Sequence, residues 1–206
     1  MSVNVGFRRI AEWTALTTIG LAGGLVAGLL VGMPLGQIVN AMIVTGAVTG
    51  VVGGVLGAFQ AIGLRRILQR PFWWIAATVA GLGSGLAAGV VVVEQVGIFI
   101  TGSRPHLVQL SSSMRALSFV ALGLVAGTLL GVLQALVIRS QIPRVRNWIP
   151  VTAVGLAVAF SASSMAVDLF GIRFASAAGA ITFLLLSGMM FGVLTSLPLR
   201  HTSRSA

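Results

Sequence analysis

The chain has 206 residues, of which 57% are hydrophobic and only 8% are charged, and its mean hydropathy is +1.05. Soluble domains carry about 25% charged residues, so this composition excludes a water-soluble fold of this size. The net charge of +10 does not indicate nucleic-acid binding, because all 13 basic residues are arginines spread between apolar runs. The absence of cysteine from the sequence excludes disulfides, thiolate nucleophiles and cysteine-ligated metals.

Six runs of the chain are apolar enough, at about 20 residues each, to predict membrane-spanning helices. In chain order they are Trp13 to Gly32, Ala41 to Leu64, Trp73 to Val93, Ala116 to Ile138, Trp148 to Val167 and Ala177 to Leu199. Short turns join them, except for one long connection from Glu94 to Arg115. The predicted fold class is therefore an all-α integral membrane protein with six transmembrane helices, forming a single membrane domain over residues 1–206.

Three two-helix units repeat along this domain, over residues 13–65, 74–139 and 148–200. Each unit begins with a tryptophan and ends with an arginine, and the middle unit is longer because 13 residues are inserted after Gly97. Each tryptophan is followed four residues later by a threonine, whose hydroxyl we expect to bond the tryptophan carbonyl: Thr17, Thr78 and Thr152. Three hairpins of one orientation predict a pseudo-three-fold arrangement about the membrane normal, a parallel repeat.

Small residues recur every four positions along the spans, which places them on one face of each helix. The glycines of these stripes are Gly20, Gly24, Gly28, Gly53, Gly57, Gly81, Gly85, Gly89, Gly127, Gly131, Gly155, Gly188 and Gly192. A face of this kind lets helix backbones approach closely in lipid, so these residues are predicted to pack the helices. The alternative is that the same flat face binds a lipid or pigment, although packing is favoured, and no other cofactor is predicted.

The ends of the units predict how the chain lies in the membrane. Tryptophan and arginine are typical interface anchors, a role predicted for Trp13, Trp74, Trp148, Arg65, Arg139 and Arg200. Ten of the 13 arginines fall in the terminal segments and in the two turns that join the units. Arginine-rich short loops stay in the cytoplasm, which predicts a bacterial plasma (inner) membrane protein with both termini cytoplasmic.

The candidate polar sites are few. Gln60 and Gln134 lie on the packed face near the ends of their helices, with Thr195 at the corresponding position of the third unit. A buried amide needs hydrogen-bond partners, so these residues are either an interhelical clamp or a polar ligand site. Glu94 and Asp168, each twenty residues after its tryptophan, are either boundary charges paired with an arginine such as Arg104, Arg115 or Arg173, or a site where a cation or substrate enters.

The spans that open with tryptophan, and the helix ends of the form Gly-x-x-Gln-x-x-x-Leu-Arg, resemble those of uncharacterised bacterial multi-pass membrane proteins. Gly57 to Arg65 match this pattern, and Gly131 to Arg139 match it with Ile138 in place of leucine. The resemblance covers nearly the whole chain. It implies a multi-pass membrane protein and carries no assigned activity.

Two functions are consistent with these features, and neither is enzymatic, because the sequence contains no catalytic or metal-ligating set. The first is a membrane subunit or scaffold of a larger complex, which contacts lipid and binds other membrane subunits through the 94–115 outer loop or its helix faces. The second is a small transporter or a lipophile- or pigment-binding protein that uses the candidate polar residues. Of the two, the sequence favours the first.

Overall fold

A computed structural model describes residues 3–35, 41–65, 68–102, 110–141, 145–173 and 176–197. Within these ranges the chain forms α-helices and one short 3-10 turn at Val145–Asn147. The helices are α1 (Val3–Leu35), α2 (Ala41–Gly63), α3 (Pro71–Thr101), α4 (Ser112–Ile138), α5 (Trp148–Leu169) and α6 (Ala177–Ser196).

All six helices are long and apolar enough to cross a membrane. The shortest, α6, has 20 residues, which at 1.5 Å per residue matches a hydrocarbon core of about 30 Å. Large apolar side chains cover the outside of the bundle, among them Leu30, Leu117 and Leu169, each at least 70% exposed. A surface of this kind is suited to lipid. The prediction of six spanning helices is therefore confirmed, and they indicate a multi-pass membrane protein.

The long connection is shorter than the sequence predicts, because helix continues at both of its ends. Helix α3 runs through Thr101, carried by the apolar residues Val96, Ile98 and Phe99. It ends at Gly102, whose positive φ of 71° lets its backbone N–H donate to the Ile98 carbonyl at 2.8 Å. Helix α4 begins at Ser112, so only the middle of the predicted outer loop lies outside these two helices.

Neighbouring helices pack side by side and run in opposite directions. Along α1, Gly20 faces Leu56 and Gly28 faces Val48, so the residue numbers of α2 fall as those of α1 rise. Each helix has its main contacts with its neighbours in the chain, and α6 packs against α1. The helix contacts therefore form a closed circuit.

Glycines bring the helices of this circuit together. A Cβ atom on Gly85 would lie 2.7 Å from the Cα of Ala126, and one on Gly127 would lie 2.6 Å from the Cα of Ala153. These distances are too short for a side chain, so glycine is required for the helices to lie this close. At each of the predicted packing glycines an added Cβ atom would lie within 4 Å of an atom of a neighbouring helix: Gly20, Gly24, Gly28, Gly53, Gly57, Gly81, Gly85, Gly89, Gly127, Gly131, Gly155, Gly188 and Gly192.

The closeness of approach differs among these contacts. At Gly155 a Cβ atom would lie 3.4 Å from the nearest atom, a ring carbon of Phe191, which is ordinary van der Waals contact. The tightest position is Gly123, where a Cβ atom would lie 2.4 Å from the Cα of Ala157. Gly123 continues the stripe of Gly127 and Gly131 by one more step of four, but it was not among the predicted packing glycines.

We expect Gly127→Ala to destabilise the protein, because its Cβ would meet backbone atoms of α5 and overpacking of this kind costs about 1–3 kcal/mol. Gly50→Ala is the matched control, since no described atom lies within 4 Å of its Cβ position. Alanine gains about 1 kcal/mol of helix propensity over glycine, so the control should be neutral or stabilising. Thermal unfolding of both variants in one detergent measures the difference, and equal melting temperatures would contradict the packing role.

Candidate functional site

The odd-numbered helices begin, and the even-numbered helices end, at one end of the bundle, which we call the tryptophan end. A layer of six side chains lies there, each at most 3% exposed. We call it the tryptophan layer, and its members are Trp13, Trp74, Trp148, Gln60, Gln134 and Thr195. The sequence-predicted amides and hydroxyl are thus brought together with the three tryptophans that begin the predicted units.

The three indole rings pack against one another inside the bundle. Trp148 lies between the other two, with ring centroids 6.2 Å from Trp13 and 5.8 Å from Trp74, both in edge-to-face geometry. The predicted role of these tryptophans as interface anchors does not fit this position, because an anchor exposes its ring to the lipid headgroups. The neighbouring Trp73 has the expected placement and is 56% exposed. Arg65 and Arg139 are exposed, and Arg200 lies outside the described residues.

A continuous set of hydrogen bonds links four helices at the tryptophan layer. The Trp148 indole N–H donates to Gln134 Oε1 at 3.0 Å, and Gln134 Nε2 donates to the Thr78 hydroxyl at 3.0 Å. The Thr78 hydroxyl donates to the Trp74 carbonyl at 2.9 Å. Gln134 Nε2 also reaches Gln60 Oε1 on α2 at 3.3 Å. Gln134 therefore joins α4 to α2, α3 and α5.

A second, shorter set joins the last helix to the first. The Trp13 indole N–H donates to the Thr195 hydroxyl at 2.9 Å, and that hydroxyl donates to the Phe191 carbonyl at 2.7 Å. Thr195 thus accepts the indole hydrogen bond of Trp13, as Gln134 accepts that of Trp148. A hydroxyl and an amide can both accept from an indole, which explains how this position tolerates both residues.

Some buried polar atoms have no hydrogen-bond partner in the part of the chain that the structure describes, and two of them belong to fully buried residues at the tryptophan end. These two are the Trp74 indole N–H and the Thr17 hydroxyl, both on residues that are 0% exposed. The predicted threonine-to-tryptophan carbonyl bond is confirmed for Thr78 and, at 2.7 Å, for Thr152. It is not formed by Thr17. The first unit therefore uses its polar groups differently from the second.

The layer is closed towards the turns by apolar side chains. Leu64, Leu68 and Ile138 are buried in the same cluster as the three indoles. The layer itself contains only amide, hydroxyl and indole groups, which do not ionise in the ordinary pH range. Among the described residues no three His, Cys, Asp or Glu side chains lie close enough to hold a metal ion. The chemistry that this arrangement offers is hydrogen bonding between helices.

The opposite end of the bundle holds a partly buried ion pair. One guanidinium nitrogen of Arg115 donates to both carboxylate oxygens of Asp168, at 2.7 and 2.8 Å, and Arg115 is only 7% exposed. Arg115 lies in the first turn of α4 and Asp168 in the last turn of α5. Each charge opposes the dipole of its own helix, but each lies beside the favourable end of the antiparallel neighbour. The pair therefore stabilises the contact between α4 and α5.

The two sequence-predicted carboxylates have different surroundings. Asp168 has Arg115 as its partner, one of the three arginines considered for it. Glu94 is half-buried near the end of α3 and forms no ion pair within the described ranges. Arg173 is exposed, and Arg104 lies outside the described residues.

One feature of the sequence does indicate that the tryptophans are buried, which is their spacing from the threonine and glycine that follow them. Trp13 and Thr17 are four residues apart, and Gly20 follows three residues later, so all three lie on the packed face. The structure also contains a cluster of phenylalanine rings that sequence reasoning missed. The ring centroids of Phe160 and Phe183 lie 5.5 Å apart, and both rings contact the ring of Phe119. These rings come from α4, α5 and α6 and do not recur in the first unit.

Comparison with known proteins adds no family to this description. No protein-family model matches the chain, and neither a curated protein nor a solved structure shows significant similarity to it. The role of the protein must therefore be inferred from the residues of the bundle and their contacts.

We expect Trp148→Phe to destabilise the bundle more than Trp74→Phe. Both changes remove one indole of the same buried cluster, but only Trp148 donates a hydrogen bond that the structure records. Its loss leaves Gln134 Oε1 buried without a donor, at a cost of about 1–3 kcal/mol. Thermal or urea unfolding in detergent measures the difference. Equal destabilisation would show that the recorded bond contributes nothing beyond ring packing.

Proposed function

We propose that this protein is a non-enzymatic subunit or scaffold of a larger membrane complex. The observation that carries the proposal is that Gln134 is fully buried and hydrogen-bonded to other helices. Gln134 is 0% exposed, and its amide oxygen and nitrogen both bond to other helices. A residue used in this way stabilises the bundle and has no group left over for a substrate, and the layer around it is closed by Leu64, Leu68 and Ile138.

We further infer that the three units are structural repeats arranged about a pseudo-three-fold axis along the membrane normal. Three kinds of observation support this. The glycine stripes of α1 and α3 face the second helix of the same unit, and those of α2, α4 and α6 face the first helix of another unit. The three tryptophans meet in one cluster. The Trp148–Gln134 and Trp13–Thr195 bonds join corresponding positions of different units.

We propose that the tryptophan end faces the cytoplasm of a bacterial cell, so that both termini are cytoplasmic in the plasma (inner) membrane. Arg65, Arg70 and Arg139 are exposed at this end, and exposed arginines in short loops favour the cytoplasmic side of a membrane. At the opposite end Arg115 is buried against Asp168, which leaves fewer arginines exposed there.

A labelling experiment tests the orientation, and it is clean because the chain has no cysteine. Ser140→Cys lies at the tryptophan end and Ser111→Cys at the opposite end, and both serines are exposed. In intact cells an impermeant maleimide should label Ser111→Cys and should label Ser140→Cys only after the membrane is opened. The reverse pattern would overturn the proposed orientation.

The partner surface that we propose is the end of α3 that leads into the outer loop. Phe99 is 92% exposed and Val96 is 50% exposed, although they lie beyond the predicted third span. Exposed apolar side chains at a helix end beside the long outer connection are available to a partner protein. The central part of the 94–115 loop, residues 103–109, lies outside the described residues.

Purification in lipid nanodiscs without detergent tests the proposed function. The chain should co-purify with the same membrane proteins at fixed stoichiometry, and Phe99→Ser should release them. Phe170→Ser is the matched control, because Phe170 is 70% exposed at the same end of the bundle, and it should retain them.

A different result would favour the transporter or lipophile-binding function. In that case the chain purifies alone with a bound small molecule, and the double variant Gln60→Leu with Gln134→Leu loses the molecule. The specific observation in favour of this second function is that the Trp74 indole N–H and the Thr17 hydroxyl are buried without described partners.

A further inference from the structure

The bundle has three contacts in which the second helix of one unit meets the first helix of another. We call these contacts seams, and they are α2–α3, α4–α5 and α6–α1. Corresponding positions in the repeat let one seam be compared with another inside a single molecule. The α2–α3 seam lacks the indole hydrogen bond that both other seams have, and it also lacks a close glycine contact that the α4–α5 seam has.

The first difference is the hydrogen bond across the seam. At α4–α5 the Trp148 indole donates to Gln134, and at α6–α1 the Trp13 indole donates to Thr195. At α2–α3 the corresponding atoms are the Trp74 indole N–H and Gln60. The Trp74 indole has no described partner, and Gln60 Oε1 accepts from Gln134, across the bundle, at 3.3 Å.

The second difference is helix contact away from the tryptophan end. At the tryptophan end the α2–α3 and α4–α5 seams are both tightly packed. A Cβ atom on Gly57 or Gly53 of α2 would lie 3.0 or 2.9 Å from α3, and one on Gly131 or Gly127 of α4 would lie 3.1 or 2.6 Å from α5. One turn further, a Cβ on Gly123 would lie 2.4 Å from Ala157, the tightest contact in the described bundle.

The residues corresponding to Gly123 and Ala157 in the first seam are Thr49 and Gly83. Thr49 lies 16 residues before Arg65, as Gly123 lies 16 residues before Arg139. Gly83 lies nine residues after Trp74, as Ala157 lies nine residues after Trp148. No described atom lies within 4 Å of a Cβ on Gly83. The Thr49 hydroxyl bonds the carbonyls of its own helix, at Thr45 and Gly46. Thr49 therefore does not replace the glycine contact, and the helices are separated at this level.

We infer that the ring of helices opens at the α2–α3 seam, and that Gln60 is the side chain whose partner changes. In the recorded state Gln60 bonds Gln134 and leaves the seam without its hydrogen bond. In a second state Gln60 bonds Trp74, as Gln134 bonds Trp148 at the α4–α5 seam, and the α2–α3 seam is then held by a hydrogen bond as well as by its glycines. One amide oxygen thus selects between a contact across the bundle and a contact across the seam. This inference does not depend on whether the protein is a subunit or a transporter.

Spin-label distance measurements test the inference, using the full chain in nanodiscs of phosphatidylethanolamine and phosphatidylglycerol. The absence of native cysteine makes paired labels unambiguous. Ile43→Cys with Val91→Cys reports on the α2–α3 seam, and Leu117→Cys with Met165→Cys occupies the corresponding positions at α4–α5. The four residues are between 51% and 70% exposed, so the labels lie outside the packed core.

We expect the α2–α3 pair to give a broad or two-peaked distance distribution and the α4–α5 pair to give a single narrow one. Gln60→Thr should reduce the α2–α3 distribution to one peak. Threonine at this position can accept from Trp74, as Thr195 accepts from Trp13, and it is too short to reach Gln134. Gln60→Leu removes both partners and should leave the distribution broad.

Two results would overturn the inference. One is an α2–α3 distribution as narrow as the α4–α5 distribution in the otherwise unchanged protein. The other is a Gln60→Thr variant whose α2–α3 distribution is as broad as that of the parent. The comparison of the two seams in the parent protein decides the matter even if a variant fails to insert into the membrane.

Discussion

In a bilayer an apolar helix is solvated by hydrocarbon as well as by another apolar helix, so burial alone gives neighbouring helices little reason to associate. Close backbone approach and interhelical hydrogen bonds must supply the attraction. This bundle combines both at the α4–α5 and α6–α1 seams. Gly131 brings α4 against Ile149 of α5, while Gln134, three residues later, accepts from Trp148. The amide is thus held at bonding distance by the glycine beside it.

The helices and their packing faces could be predicted from sequence because each depends on a local pattern. Apolar length defines the spans, and glycine at every fourth position defines a face. The role of the tryptophans could not be predicted from the same reasoning. An indole at a helix end is favourable both in lipid headgroups and in a buried cluster, and the choice depends on what the other two units place beside it. Trp73 and Trp74 show this, since adjacent residues of one type are 56% and 0% exposed.

The ion-pair and hydrogen-bond partners of individual side chains likewise could not be predicted from the sequence. Asp168 had three candidate arginines, and Arg115 was selected because antiparallel packing places the start of α4 beside the end of α5. The different bonding of Gln60 and Gln134 is a further case. Both lie five residues before an arginine in the sequence. Their partners differ because the bond between them satisfies the oxygen of one and the nitrogen of the other, and an asymmetric bond of this kind cannot be inferred from a symmetric pattern.

The contact between α6 and α1 has a consequence for the order in which the protein assembles. It joins the first described helix to the last through the Trp13–Thr195 bond and through Gly188 and Gly192, and no turn of the chain connects the two. During synthesis α1 to α5 can enter the membrane and pack against their neighbours, while the face of α1 that packs against α6 stays exposed to lipid. That face becomes covered only when α6 enters the membrane, so α6 completes the ring of helices.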